Sequence, residues 1–128
     1  MIAPILSVCP SFKPVWDRFC EDWADEKDPP IYIALSALAE HIICLLRAEK
    51  TVELKQTLDI VEAWILGGDH YVKNAAIVGL LEDLQNKNLH ECTEPDTFIE
   101  YLSPETLFWW RKVEKFWRTG DLLIDDRK

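Results

Sequence analysis

Carboxylates are the residues best able to do chemistry in this chain, and they fall in two runs. Asp17, Glu21, Asp22, Asp25, Glu26 and Asp28 share their stretch with only Arg18 and Lys27. Glu82, Asp83, Glu91, Glu94, Asp96, Glu100 and Glu105 share theirs with only Lys87. Paired carboxylates can serve acid–base catalysis or hold a metal. Glu82 and Asp83, adjacent on a helix, point about 100° apart and do not converge. Glu21 and Asp25 share a helical face, but no apolar pocket is evident around them that would shift their protonation. The three histidines are dispersed. His41 sits in an apolar helix beside Glu40, as a structural histidine does. His70 falls in the first turn after Asp69, where a helix N-terminus disfavours its cation. His90-Glu91-Cys92 could ligate a metal only with partners from elsewhere. There is no H-E-x-x-H, glycine-rich phosphate loop or G-x-S-x-G. The expectation is no catalytic residue, no metal and no cofactor.

What the acids can do is attract. The formal charge is −9 and the sequence pI about 4.7. Such a chain repels phosphate backbones, so nucleic acid is not expected as a partner. A basic protein is, because complementary fields raise association rates. A solvated helix face explains any single acid. The two runs together point to a partner. Candidate contact residues are Asp17, Glu21, Asp22, Asp25 and Glu26 in the first run, and Glu91, Glu94, Asp96 and Glu100 in the second.

Cys9, Cys20, Cys44 and Cys92 form no C-x-x-C pair and fit neither a zinc site nor a disulfide scaffold. Cys20 and Cys44 fall on apolar helical faces and are expected buried and reduced. The start, Met1 to Cys9, lacks a basic region, and Pro4 interrupts its short apolar run, so it does not read as an export signal. The apolar stretch Ile31–Leu46 contains Glu40 and His41 and is too short to span a membrane. A cytoplasmic protein is expected.

These residues are positioned by helices. Val15, Trp16, Phe19, Cys20 and Trp23 recur at helical spacing until Asp28-Pro29-Pro30 breaks the run. A second helix, from about Ile31 to Arg47, is apolar nearly all round and reads as the buried centre. A third, capped by Thr51, carries Leu54, Leu58, Val61 and Ile65 to Gly67-Gly68. Those glycines are expected to stop it in the left-handed conformation. Asp69 caps a fourth bearing Val72, Ala76, Gly79, Leu80 and Leu84. Pro95 opens a short fifth with Phe98, Ile99 and Leu102. Ser103-Pro104-Glu105 starts a sixth, with Ser103 as its cap and Gly120 as its stop. The fold class is all-α: about six helices in antiparallel pairs, with a HEAT-like orthogonal bundle as one arrangement. One domain covers residues 1–120, and 121–128 is a tail whose Leu122, Leu123 and Ile124 can dock back. In Trp109-Trp110, adjacent helical positions cannot both face one core. Trp110 is assigned inward, with Leu107 and Val113. Trp109 is then a helix-edge residue and a candidate exposed anchor. Arg111, Lys112, Lys115 and Arg118 could pair with the acidic runs and reduce the free acidic surface.

Two resemblances follow from these residues. Asp69, Val72, Lys73, Ala75, Ala76, Gly79, Leu80 and Leu81 resemble the second helix of a HEAT-type repeat, with Lys73 where Arg is usual and no second copy along the chain. Gly79 to Asn86, Tyr101 to Thr106 and Trp109-Trp110 through Phe116-Trp117 resemble a group of small bacterial proteins found among immunity proteins of toxin–immunity systems, including contact-dependent growth inhibition. That resemblance implies a non-enzymatic protein that binds a cognate toxin domain, a basic nuclease, and blocks it. The alternative is a helical adaptor or scaffold for another cellular protein. A small enzyme would need a deep pocket with converging polar groups.

Overall fold

A computed structural model describes residues 2–86, 89–90 and 93–127. Helix α1 (Ala3–Val8) opens the chain, and a 3-10 turn (Pro10–Phe12) leads into α2 (Lys13–Asp22). The long helices α3 (Ile31–Arg47) and α4 (Thr51–Gly67) follow. α5 (His70–Asn74) passes without a break into a π-helical run (Ala75–Leu81) and then α6 (Glu82–Gln85). A 3-10 helix (Pro95–Tyr101) precedes α7 (Pro104–Thr119). The described residues contain no strand, so the protein is all-α.

The first helix is an addition to the expected set. Ile2, Ile5, Cys9 and Phe12 recur at three- and four-residue spacing and all enter the core. Pro4 does not break α1, because the missing N–H of a proline costs nothing in the first helical turn. Cys9 is thus the buried thiol, whereas Cys20 and Cys44 are exposed, contrary to expectation. Cys44 lies on an outer face of α3 with Tyr32, Ile33 and Glu40; Ala34, Leu35, Leu38, Ala39, Ile42 and Ile43 face inward.

α3 packs against the π-helical run and α4, and α7 closes over α4 and that run. A π turn is wider than an α turn. Ala75, Ala76, Ile77, Leu80 and Leu81 are all buried along it. Gly79 receives the edge of Tyr32: a Cβ there would stand 2.9 Å from Tyr32 Cδ1. The segment that resembles a HEAT-type helix is therefore π-helical over Ala75–Leu81. Asp69 does cap it, accepting from Val72 N at 2.9 Å. In the 3-10 helix the three-residue period puts Pro95 and Phe98 in the core with Tyr101 half-buried beneath them. Phe98 meets Trp110 edge-on, with ring centroids 6.1 Å apart.

Three local expectations change. Gly67-Gly68 does not use the left-handed conformation; Gly68 is extended, with φ −74° and ψ 158°. The left-handed glycine is Gly120, φ 75°, which ends α7 as expected. Thr51 is the first residue of α4, and Lys50, at the cap position, makes no side-chain cap hydrogen bond. Ser103 does not cap α7 either. Its hydroxyl donates to Asp59 and accepts from Lys55 at 3.2 Å. The Glu62 carboxylate from α4 takes that place. It accepts from Thr106 N at 2.5 Å, from Glu105 N at 3.2 Å, and from the Thr106 hydroxyl.

Candidate functional site

The first acidic run lies on α2 and the turn after it. None of the residues of α2 is buried. Trp16, Phe19 and Trp23 stand on one face at i, i+3 and i+7; all three are half-buried, and Trp16 packs against the core. Trp16 stacks on Phe19 with centroids 5.3 Å apart, and Phe19 tilts against Trp23 at 6.4 Å. This row lines a groove of about 380 Å³ together with Pro29 and Ile31. Cys20 lines the same groove, which explains its exposure.

The acids lie mostly away from the rings. At about 100° per residue, Asp17 and Glu21 fall on the opposite side of α2 from the aromatic row, and Asp22 stands at its edge. Glu26, from the following turn, lines the groove itself. All five candidate acids of this run, Asp17, Glu21, Asp22, Asp25 and Glu26, are exposed. Asp17 pairs with Lys13 at 3.0 Å, an exposed i,i+4 pair of small energetic weight. The other four make no ion pair among the described residues.

The second run divides. Glu91 lies outside the described residues, as does Cys92. Glu94, Asp96 and Glu100 are exposed on and beside the 3-10 helix. Glu94 and Asp96 border a smaller hollow of about 200 Å³ with Gln85, Glu114 and Trp117. Trp117 is 54% exposed, whereas Trp109 is 4% exposed and is not an accessible anchor. The outward position on α7 is thus Trp117, and Trp109 is covered. The Lys73 ammonium sits 5.1 Å from its ring centroid, Glu105 accepts from its indole N–H at 3.3 Å, and Leu123 lines the small hollow beside it. Trp110 is fully buried, as expected.

The basic residues of α7 leave both runs free. Arg111 pairs with Glu114, Lys112 with Asp126 and Lys115 with Asp121. The C-terminal segment docks, though through charge more than through its apolar residues. Arg127 donates to Glu105 from both terminal guanidinium nitrogens, Nη2 at 2.5 Å and Nη1 at 2.8 Å, and lies 3.7 Å above the Phe108 ring. Hydrogen bonds from Arg127 hold the Asp125 carboxyl at a pKa of about 2. Leu123 packs on the core, whereas Leu122 and Ile124 stay exposed.

Two histidines make hydrogen bonds that tie separate parts of the fold together. His90 Nε2 lies 2.9 Å from the Leu84 carbonyl, which can only accept, so this nitrogen carries the hydrogen; Nδ1 faces the Thr93 hydroxyl at 2.6 Å. Ser11 Oγ lies 2.8 Å from His41 Nε2 and donates to Glu53 Oε2 at 3.0 Å. With that proton committed to Glu53, His41 Nε2 is the donor to Ser11. The order needed for a base to activate the hydroxyl is therefore absent. Spacing could not have revealed this cluster, because its members come from three separate elements. Burial pushes the His41 imidazole below its ordinary range; Glu53 opposes the shift and Lys50 adds to it. The folded state thus prefers neutral His41 more than the unfolded chain does. Stability should fall as pH drops through 6.5 toward the lower folded value, and the loss is complete below it. Urea midpoints between pH 7.5 and about 5 test this. His41→Gln, which keeps an amide donor for Ser11, should flatten that part of the profile, and an unchanged slope would refute the assignment.

Among the described residues no group of three His, Cys, Asp or Glu side chains is placed to hold a metal ion, and no helix is long and apolar enough to cross a membrane. The most developed binding surface is the α2 groove. Neither the curated proteins nor the solved structures contain a match to this chain. A family model covers α1 through nearly all of α7, and therefore both acidic runs. The chain, matched over residues 2–118, belongs to the family described as Domain of unknown function (DUF7674).

Proposed function

We propose that this chain is a non-enzymatic immunity protein of the bacterial cytoplasm, which binds a cognate toxin domain and neutralises it. The proposed target is a nuclease with a basic active-site groove, blocked by occlusion. One observation carries the reading. α2 and the turn after it present four exposed carboxylates, Glu21, Asp22, Asp25 and Glu26, that make no ion pair among the described residues, next to a groove lined by half-buried aromatic rings. Charges of that kind steer a cationic partner, and the rings can anchor it. The resemblance to immunity-type proteins, which spans roughly Val52 to Trp117, supplies the toxin.

The test is a pull-down and a protection assay with the full chain and the product of the neighbouring reading frame. Expected results are a salt-sensitive complex and survival of cells that express both. Reversing Glu21, Asp22, Asp25 and Glu26 to lysine should weaken binding by about tenfold or more, chiefly through slower association. Protection that survives reversal of this run together with Glu94, Asp96 and Glu100 would remove the occlusion mechanism. Capture of a regulatory or metabolic protein, without protection from a toxin, would favour the adaptor.

A further inference from the structure

Residues 121–127 lie beyond the region matched to the family, and they run back along the helix they follow. Gly120, left-handed at φ 75°, reverses the chain. Asp121 then reaches Lys115, Asp126 reaches Lys112, and Arg127 reaches Phe108 and Glu105. The partners descend α7 as the segment advances, so the two run antiparallel. Glu105, Phe108, Lys112 and Lys115 recur at three- and four-residue spacing, which sets them along one side of α7.

Charge is what holds the segment there. Among the described residues no backbone–backbone hydrogen bond joins 121–127 to a helix. Ile124 N donates to Leu122 O, Asp121 N to the Thr119 hydroxyl and Arg127 N to the Asp125 carboxylate. Of three consecutive aliphatic residues only Leu123 packs on the core, in the hollow beside Trp109; Leu122 and Ile124 are exposed. The Asp121, Asp125 and Asp126 side chains are 54%, 40% and 67% exposed. Ion pairs at such exposure contribute little singly and weaken with salt. The cover is nevertheless effective, since the Lys112 side chain under Asp126 is only 17% exposed.

We propose that residues 121–127 are a strap, which closes over the Phe108–Lys115 side of α7 and opens as a unit while the helices stay intact. Opening bares Phe108, Lys112 and Lys115, a cationic strip beside an aromatic ring on a chain of net charge −9. The strap itself shows what can lie on that strip: carboxylates on the lysines and one leucine beside Trp109. Its linker is Gly120 alone, so it is present at an effective concentration of about millimolar or more. An acidic ligand that made only the same contacts would lose to it. The strap therefore controls access to this side of α7, whatever α2 binds.

The test is NMR on the full chain labelled with 15N. At about 10 mM salt, where the Debye length is about 30 Å, residues 121–127 should give heteronuclear NOE values like those of α7. The Leu123 methyl signals should be displaced by the Trp109 ring. At about 1 M salt, where the Debye length is about 3 Å, both features should vanish and the signals of the helices should persist. Asp126→Asn with Arg127→Ala should open the strap at low salt and melt with the native chain. Leu122→Ala, at an exposed position, should change neither feature. Chemical acetylation with peptide mapping reads the cover independently. On opening, Lys112 should gain about fivefold or more in rate relative to Lys55, whose exposed pair with Asp59 serves as the control. A segment mobile already at low salt would overturn the inference. So would one that stays ordered both at high salt and in the double variant, or one released only as α7 unfolds. Equal Lys112 reactivity in the native chain and the double variant would overturn it as well.

Discussion

Gly68→Ala should lower unfolding stability by about 2–3 kcal/mol, in the upper part of the range for overpacking. An added Cβ would lie 2.4 Å from the Trp64 carbonyl oxygen and 2.7 Å from Val72 Cγ1. The first of these is backbone of the preceding helix, and it cannot step aside as a side-chain tip can. The neighbouring residue gives the control. Gly67 has nothing within 4 Å of its would-be Cβ, and it closes α4, where alanine is the better helix former by about 1 kcal/mol at most. Gly67→Ala should therefore be neutral or slightly stabilising. Urea denaturation with an unchanged m-value reads both. Equal effects at the two positions would show that the pair acts through chain flexibility and that the approach of Trp64 and Val72 is not what selects glycine. Gly79 belongs to neither case. Its neighbour is the half-exposed Tyr32 ring, which can swing, so alanine there should cost little and a bulky residue much more.

The second large effect is expected at Glu62. Its carboxylate receives the first free N–H groups of α7 and the hydroxyl of the fully buried Thr106. Hydrogen bonds to a charged group contribute about 1.5–3 kcal/mol, and a buried donor left without a partner adds a penalty. Glu62→Ala should cost about 2–3 kcal/mol. Glu62→Gln, which keeps one acceptor oxygen, should cost about half as much. Amide hydrogen exchange should quicken at Glu105 and Thr106 in the alanine variant before it quickens in α3. If Ser103→Ala costs more than Glu62→Ala, the cap would be the local one after all.

That contrast shows what the amino-acid pattern could reveal and where it stopped. Ser103-Pro104-Glu105 marked the start of α7 correctly, because proline and an acid in the first turn are local signals. The acceptor that completes the start comes from α4, forty-odd positions away in sequence, and no local pattern carries it. The long helices α3 and α4 were legible from periodicity alone. α1 was not, because Pro4 breaks the apolar pattern even though its position in the first turn makes it harmless to the helix. Of the candidate contact residues, the α2 acids and their aromatic row were legible together. Which tryptophan of α7 faces outward was not. By spacing Trp109 looks like an edge position and Trp117 falls on the inward row with Trp110 and Val113, yet Trp109 is covered, with Lys73 and Leu123 beside it, and Trp117 is exposed. The groove beside α2 was also invisible, since Trp16, Phe19 and Trp23, all half-buried, have the pattern of any buried helical face.

The π-helical run has a consequence for bearing. Its seven residues turn the chain through less angle than the same seven would in an α-helix. Everything downstream inherits that lag: Leu84, whose carbonyl meets His90, and Gln85, whose amide holds the Trp110 carbonyl at 2.8 Å. Loss of one residue between Ala75 and Leu81 would thus act as a rotation. The helix would survive as a tighter coil, and Leu84 and Gln85 would aim at the wrong neighbours.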